Sequence, residues 1–275
     1  LEFRRVLFRS LMYYVTVDHR VKIAVYDLNP TCKKTVVMVH GWPLSAAMYE
    51  YQTRVLADRG YRVVTMDLRG FGRSDAPACG YEYDRLSDDV FQVIQALRLS
   101  RFVLVGFSMG GAIVLRYMRR HQGFGVCRLA LLGAAAPRYT CCPGFPYGVP
   151  RSTVESLIAL SQTDRPQQAQ DFSRQLLACP HSDAIKDWFR DLALEASGIG
   201  TVKTAYALRD EDGCADLEWA KVPTGIFHGK KDQIVPYELG LVQKACIPGA
   251  QLFTFENSGH GIFYDELERF NRVFM

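Results

Sequence analysis

Hydrophobic and polar residues alternate along two segments near the start of the chain, residues 13–17 and 22–26. This period of two is typical of strands that bury one face and expose the other. Residues 18–20 lie between the two segments and include His19, which we place in a turn. The pattern therefore predicts an antiparallel β-hairpin at the start of the fold.

Short runs of consecutive apolar residues follow, and stretches with helical periodicity separate them. Runs without alternation are typical of parallel strands that helices cover on both faces. Repeated strand–helix units predict an α/β fold with a mostly parallel sheet. We predict strands at 35–39, 62–66, 102–105, 129–132, 224–227 and 251–255, and helices at 46–59, 86–97, 109–121, 238–245 and 265–275.

The strand–helix rhythm stops between residues 138 and 221. Three stretches there have helical character, but no strand pattern is visible; they are 154–161, 169–177 and 183–195. A plain loop is rarely so long, so we interpret residues 138–221 as a helical lid over the carboxyl edge of the sheet.

The rest of the chain then divides into a core and a short leading segment. Residues 12–137 and 222–275 are predicted to form the core. Residues 1–11 are basic and apolar without a helical stripe, and we interpret them as a cloning or assembly scar. The last predicted helix stops in the middle of its pattern, so we also expect the carboxyl end to be truncated.

Composition excludes several classes of protein. The hydrophobic share of 48% and the charged share of 23% are ordinary for a globular chain. A net charge of +4 is too small to indicate a nucleic-acid partner, and the apolar runs are too short to cross a membrane. The eight cysteines lack metal-ligand spacing and no secretory leader is recognised, so we expect reduced thiols in a cytoplasmic protein.

The strongest chemical signal is Gly106-Phe107-Ser108-Met109-Gly110, between a predicted strand and a predicted helix. It matches the G-x-S-x-G nucleophile elbow, in which a strained turn exposes the serine. A side chain at position 106 or 110 would collide with the neighbouring strand or helix. Because the following helix begins with free N–H groups, we expect Ser108 to be a nucleophile and Met109 N–H to donate to an oxyanion.

A serine nucleophile needs a base, and the base needs a carboxylate that fixes its tautomer. Of the six histidines, only His260 lies in a loop after the last predicted strand. Asp232 follows the predicted strand 224–227. The chain order of nucleophile, acid and base is one that catalytic triads use. We therefore predict a triad of Ser108, Asp232 and His260.

The sequence His40-Gly41-Trp42-Pro43 ends the predicted strand 35–39. We expect the main-chain N–H of Trp42 to be the second oxyanion donor, and Pro43 favours an extended Trp42. A tight turn that contains a structural His40 is the alternative.

Two other groups of polar residues receive structural interpretations. Residues 67–75, DLRGFGRSD, have the glycines and charges of a tight loop held by ion pairs, and we assign them no catalytic role. The carboxylates at 210–212 and at Asp216 lie outside any strand end, so we expect solvated charges there.

These motifs together resemble the α/β-hydrolase superfamily, and within it they are most similar to the cofactor-free bacterial haloperoxidase (perhydrolase) and arylesterase group. The similarity runs from about Met12 to the end of the chain and is weak across the predicted lid. The matching segments are HGWPLS at 40–45, DLRGFGRSD at 67–75, GFSMGG at 106–111, HGKKDQIVP at 228–236 and SGHGIF at 258–263.

The resemblance implies hydrolysis of small carboxylic esters through an acyl-enzyme, without a metal, haem or other cofactor. It also implies a side activity in which hydrogen peroxide replaces water, which Pro43 after Trp42 suggests. A carbon–carbon bond hydrolase or a lactonase with the same triad is one alternative. A ligand-binding protein that kept the fold and lost turnover is another.

Overall fold

The computed structural model describes residues 10–18 and 20–275 of the chain. All eight predicted strands are present, and most are longer than the sequence pattern indicates. In chain order, β1 to β8 are Ser10–Val17, Val21–Leu28, Lys34–Val39, Tyr61–Met66, Phe102–Phe107, Val126–Leu132, Thr224–Gly229 and Gln251–Phe255. Residues 1–9, most of the segment interpreted as a scar, and His19 lie outside the described residues.

The strands form one sheet in the order β1-β2-β4-β3-β5-β6-β7-β8. β1 pairs antiparallel with β2, which confirms the predicted hairpin, and β2 pairs antiparallel with β4. Every other neighbouring pair is parallel. The central strand β3 is buried from Thr35 to Val39, as its unbroken apolar run predicts. The predicted α/β class with a mostly parallel sheet is confirmed.

The described residues form ten α-helices around the sheet, and the bounds of these helices correct the prediction at several points. The predicted helix 46–59 begins as a 3₁₀ turn at Ala46–Tyr49, and the predicted helix 265–275 begins only at Leu267, after a separate short helix that ends at Asp265. In chain order, α1 to α10 are Glu50–Asp58, Tyr83–Ala96, Met109–Arg120, Arg151–Thr163, Arg165–Leu176, Asp183–Leu194, Gly198–Asp210, Tyr237–Cys246, Ile262–Asp265 and Leu267–Phe274.

Helix α7 was not predicted. Its sequence begins GIGTV, and glycine and β-branched residues have low helix propensity. Ser197 caps the helix by accepting a hydrogen bond from Gly200 N at 2.9 Å, and the helix packs against α4. Tertiary packing therefore overrides a weak local preference.

The connections between strands place the helices on opposite faces. The chain passes from β3 through α1 to β4 on one side, and from β4 through α2 back past β3 to β5 on the other. Because such connections are right-handed, this reversal puts α1 on one face and α2 and α3 on the other. It also leaves a crevice at the carboxyl ends of β3 and β5, where open parallel sheets bind ligands.

Helices α4 to α7 all lie between β6 and β7 in the chain, within the segment interpreted as a lid. Hydrogen bonds tie them to the core. Trp42 Nε1 donates to Thr201 O at 2.9 Å, and Gly261 N donates to Leu176 O at 2.7 Å. Across residues 10–18 and 20–275, no helix is long and apolar enough to cross a membrane.

Residues 67–75 form a tight loop held by an ion pair and hydrogen bonds, as predicted. Arg69 Nε lies 2.6 Å from Asp89 Oδ2, and both side chains are buried. Asp67 Oδ1 accepts a hydrogen bond from Ala46 N at 2.8 Å. The loop thus ties the carboxyl end of β4 to the 3₁₀ turn that precedes α1.

The expectation of a solvated Asp216 is wrong. Its side chain is only 1% exposed, and its Oδ2 lies 2.7 Å from Arg116 Nε on α3. Arg116 also pairs with Glu211 and Asp84. The buried carboxylate is tolerated because a guanidinium matches it, and the pair ties the end of the 138–221 segment to the core. Asp212 is half exposed and pairs with Arg138.

Candidate active site

Ser108 lies at the turn between β5 and α3, and its backbone is strained. Its φ of 53° and ψ of −119° lie outside the regions that residues with a side chain usually adopt. Two hydrogen bonds hold the turn: Ser108 N donates to Leu132 O at 2.9 Å, and Ala135 N donates to Ser108 O at 3.0 Å. The carboxyl end of β6 therefore fixes the serine from the side.

The two glycines of the elbow are required by close packing, as the sequence predicts. A Cβ at Gly106 would lie 2.6 Å from Val114 Cγ2 on α3. A Cβ at Gly110 would lie 2.5 Å from Val39 O at the end of β3. Both distances are shorter than atoms tolerate, so the helix packs this closely on the sheet only with glycine at each position.

The structure brings Asp232 and His260 together at the same edge of the sheet. Asp232 follows β7, His260 follows β8, and His260 Nδ1 lies 2.7 Å from Asp232 Oδ2. Both side chains are fully buried. The other oxygen, Oδ1, accepts hydrogen bonds from Ile234 N at 2.9 Å and Val235 N at 2.8 Å. The carboxylate is therefore held by the main chain and aimed at the imidazole.

Asp232 is ionised despite its burial. Burial by itself would raise the pKa of this carboxyl, but the charge of His260 and hydrogen bonds from His228 and His260 hold it well below its usual range. An ionised Asp232 favours the tautomer in which Nδ1 of His260 carries the proton. Nε2 is then free to accept a proton from another group.

His260 lies against the elbow but is not bonded to the serine hydroxyl in this arrangement. Its ring centroid is 4.5 Å from that of Phe107, the residue before Ser108. Among the described residues, His260 Nε2 is buried and has no hydrogen-bond partner. Contacts between a catalytic nucleophile and its base often tighten only when substrate binds. The geometry therefore leaves this nitrogen without a partner among the described residues, on a ring that packs against the residue before Ser108.

Two residues beside the acid–base pair were not singled out by the sequence. His228 is fully buried, and its Nε2 lies 3.0 Å from Val235 O and 3.4 Å from Asp232 Oδ2. Gly133 has a φ of 47°, and a Cβ there would lie 3.1 Å from His260 Nδ1. The sequence carries a signal for His228, which lies four residues before Asp232, whereas no local pattern marks Gly133.

The loop after β3 approaches the serine closely. A Cβ at Gly41 would lie 2.7 Å from Ser108 Cβ, so only glycine permits this contact. The next residue is Trp42. Within the described residues, the main-chain N–H groups of Trp42 and Met109 have no hydrogen-bond acceptor. The two main-chain N–H groups predicted to bind the oxyanion therefore lie beside Ser108 and make no hydrogen bond within the described residues.

His40 has the structural role that we kept as an alternative. Its Nε2 accepts a hydrogen bond from Leu68 N at 2.9 Å, and its Nδ1 lies 2.9 Å from Gly41 O. Burial lowers its pKa, which favours the neutral ring that these two contacts need. His40 thus fixes the Gly41–Trp42 loop against residues 67–75.

A cavity of about 270 Å³ lies beside Ser108 and Trp42. Helices α4 and α5 form much of its wall. Trp42, Ser108, Gln233 and Ile234 from the core line the remaining side, together with Tyr139, whose hydroxyl donates to Ile234 O at 3.0 Å. The segment interpreted as a lid therefore lines the space in which a substrate of Ser108 would lie.

Cys179, His181 and Asp265 have ligand atoms within 4.8 Å of one another and are a potential metal-binding group. The carboxylate of Asp265 is already engaged. It accepts hydrogen bonds from Ala178 N at 2.9 Å and Gly259 N at 2.7 Å, and one oxygen lies 2.8 Å from His181 Nε2. These contacts explain the cluster as an anchor for the loop that carries His260.

Comparison with known proteins agrees with this geometry. Residues 34–267 match the family described as alpha/beta hydrolase fold. The AB hydrolase superfamily protein YisY of Bacillus subtilis (strain 168) is 44% identical, and the match covers 95% of this chain and 97% of that protein. Non-heme chloroperoxidase CPO-A1 of Kitasatospora aureofaciens is 34% identical, with 87% and 90% covered.

Among solved structures, an esterase (EaEST) from Exiguobacterium antarcticum superposes with a TM-score of 0.93 at 42% identity. The match covers 96% of this chain and 98% of the esterase. Its name and that of the chloroperoxidase confirm the predicted similarity to the haloperoxidase and esterase group. From its motifs, its sheet and these relatives, the chain belongs to the α/β-hydrolase fold family.

Proposed function

We propose that the chain is a serine hydrolase that cleaves small carboxylic esters through an acyl-enzyme. The observation that carries the proposal is the strained Ser108 turn at the sheet edge where the buried Asp232–His260 pair lies. Strain at a serine that borders a cavity and a buried, hydrogen-bonded acid–base pair are costly features that a purely structural role does not explain.

In the proposed reaction, Ser108 Oγ attacks the ester carbonyl carbon while His260 Nε2 takes the hydroxyl proton. Asp232 stabilises the imidazolium through the 2.7 Å hydrogen bond at Nδ1. The negative charge that develops on the carbonyl oxygen is stabilised by the N–H groups of Trp42 and Met109. His260 then protonates the leaving alcohol, which leaves the acyl group on Ser108.

A water molecule completes the reaction. His260 removes a proton from the water as it attacks the acyl carbon, and the carboxylic acid leaves as Ser108 regains its proton. With hydrogen peroxide in place of water, the same step releases a peracid. We include this perhydrolysis because one relative is named a non-heme chloroperoxidase. These residues supply every proton transfer, so the proposed steps need no metal or cofactor.

The test is the labelling and activity of Ser108→Ala. A fluorophosphonate probe should label the wild type at Ser108 and leave the variant unlabelled. The kcat of the variant for 4-nitrophenyl acetate should fall about 10⁶-fold, because the three groups act as a unit. Ser152→Ala, at an exposed position on α4, is the matched control and should keep full activity. A Ser108→Ala variant with near wild-type turnover would refute the proposal.

Assaying lactones beside 4-nitrophenyl acetate tests the lactonase alternative, and adding hydrogen peroxide to the ester assay measures perhydrolysis.

We also propose that the protein works in the cytoplasm. All eight cysteines are unpaired in the described structure, which supports a reducing compartment.

A further inference from the structure

The two helices that line the cavity have different chemistry. From α4, the cavity receives the apolar residues Val154, Leu157 and Leu160 and the small hydroxyl residues Thr153 and Ser156. From α5 it receives Gln168, Asp171, Phe172 and Gln175, which are spaced by three or four residues and so share one helix face. The α4 side therefore presents apolar and small hydroxyl side chains, whereas the α5 side presents two amides and a carboxylate beside Phe172.

Gln168 is the most deeply buried of these polar residues, at 2% exposure. Within the part of the chain that the structure describes, its amide Nε2 is buried and has no hydrogen-bond partner. A buried donor without an acceptor destabilises a protein, and such groups are rare without a reason. Because Gln168 lines the cavity, a molecule bound there is placed to supply the missing acceptor.

The charges around the cavity narrow the chemistry of that acceptor. Asp171 lies in the wall one turn from Gln168, and no lysine or arginine of the described residues lines the cavity. An anionic group would be repelled by Asp171 without a compensating cation. A purely apolar molecule would leave Gln168 Nε2 unsatisfied. A neutral oxygen, such as that of an ether, ketone or hydroxyl, meets both conditions.

The position of Gln168 separates this oxygen from the reacting bond. The Phe172 ring contacts the Trp42 ring edge-on, with centroids 6.3 Å apart. Gln168 lies four residues earlier on the same face of α5, so its Cβ is roughly 5–6 Å from that of Phe172. The amide therefore meets the substrate several bonds away from the ester carbonyl at Ser108.

We propose that Gln168 is a specificity-determining residue, whose Nε2 donates a hydrogen bond to a second, neutral oxygen of the ester. The preferred substrate is then an oxygenated ester rather than a simple alkyl one. This inference rests on the ester hydrolysis proposed above and adds the substrate class. The second oxygen belongs to either the acyl or the alcohol part, and the experiment distinguishes the two.

The test compares esters that differ only by an ether oxygen in place of a methylene. The acyl pair is 4-nitrophenyl 3-methoxypropanoate and 4-nitrophenyl pentanoate, and the alcohol pair is 2-methoxyethyl acetate and butyl acetate. For each pair, the kcat/KM of the ether ester is divided by that of the alkyl ester. This ratio is measured for the wild type and for Gln168→Met, which keeps the size of the side chain. Dividing one protein's ratio by the other's cancels the intrinsic reactivity of the esters.

In one of the two pairs, the ratio should fall about 3- to 10-fold in Gln168→Met, while the alkyl ester is hydrolysed at least as well as before. Gln168→Glu should lower the same ratio, because a carboxylate cannot donate. Gln170→Met is the matched control, since Gln170 is on the same helix, lies near Arg190 and does not line the cavity. Its ratios should equal those of the wild type.

Two results would overturn the inference, and they have different meanings. If the wild type hydrolyses the alkyl esters and both ratios are unchanged in Gln168→Met, the inference is wrong and the proposed function stands. If the wild type hydrolyses none of the four esters and Ser108 is not labelled by a fluorophosphonate, the proposed function is wrong and the inference falls with it.

Discussion

The strand ends of the core and the helices α4 and α5 surround the same cavity but are constrained differently. In the core, Ser108, Asp232 and His260 are held by main-chain hydrogen bonds and by glycines that admit no Cβ. On the helices, the cavity is lined by side chains of mixed chemistry, including Gln168, whose Nε2 has no hydrogen-bond partner among the described residues.

This difference separates two kinds of requirement. The reacting groups need positions accurate to a fraction of an ångström, which rigid strand ends supply. Selectivity needs only a suitable surface several bonds away from the reacting ester bond. Side chains on a helix supply such a surface, and substituting them does not disturb the sheet. Changes in the core should therefore affect kcat, whereas changes on α4 and α5 should alter the preference among substrates.

The largest effect is expected for His260→Ala, because the proposed reaction uses His260, held by Asp232, as the base that takes the proton of Ser108. The kcat for 4-nitrophenyl acetate should fall about 10⁶-fold while circular dichroism stays unchanged. His121→Ala is the control, since His121 stacks on Phe91 far from the cavity and should leave kcat unaffected. Retained activity in His260→Ala would show that the base lies elsewhere.

Asp232→Asn should lower kcat by about 10⁴-fold, less than loss of the base itself. Asparagine keeps the shape of the side chain but removes the charge that stabilises the imidazolium. Steady-state kinetics with the same ester measure the effect. A loss smaller than tenfold would mean that His260 is held correctly without this carboxylate.

Gly133→Ala should lower kcat by about 10- to 100-fold, because its Cβ would press on His260 Nδ1 from 3.1 Å. Gly144→Ala is a matched control from the segment 138–221. Gly144 also has a positive φ, of 86°, but a Cβ there would meet no atom within 4 Å. The Gly144→Ala variant should therefore have a strained backbone but an unchanged kcat. Equal losses in both variants would break the contrast between core and helices.

Leu157→Ala, in the cavity wall on α4, should change selectivity rather than chemistry. Enlarging the cavity should shift kcat/KM between acetate and hexanoate esters by about 3- to 10-fold, with kcat for acetate nearly unchanged. A graded series of 4-nitrophenyl esters measures the shift. A large drop in kcat for every ester would show that α4 also positions the reacting groups.

The smallest effect concerns folding stability and pH. Because the pKa of Asp232 is lower in the folded than in the unfolded protein, its charge stabilises the fold above the ordinary pKa of 3.8. That stabilisation is lost as the pH falls below this value towards the folded pKa. Urea denaturation gives the unfolding free energies of the wild type and of Asp232→Asn. The difference between them should stay constant between pH 7 and pH 5. The wild type should lose about 1–3 kcal/mol relative to the variant at lower pH. A relative gain on acidification would contradict this.

The features that were predicted correctly depend on neighbours in the chain. The eight strands follow from local patterns of apolar residues. The elbow at Ser108 is recognisable because the glycines at 106 and 110 lie within two residues of it, and the strand and helix on either side are local as well. Such steric constraints act over a few residues, so a short stretch of sequence displays them in full.

Other features depend on residues far apart in the chain, and only the tertiary structure decided them. Asp216 is buried because Arg116, 100 residues earlier, reaches it. Gly133 matters because the loop after β8 brings His260 against it. The packing around α5 likewise decides that no described residue accepts a hydrogen bond from Gln168 Nε2. By itself the sequence determined the sheet, the strained serine and the order of the acid and base. Burial, partnership and the shape of the cavity came from packing between distant segments, since desolvation and contact depend on what surrounds a group in space.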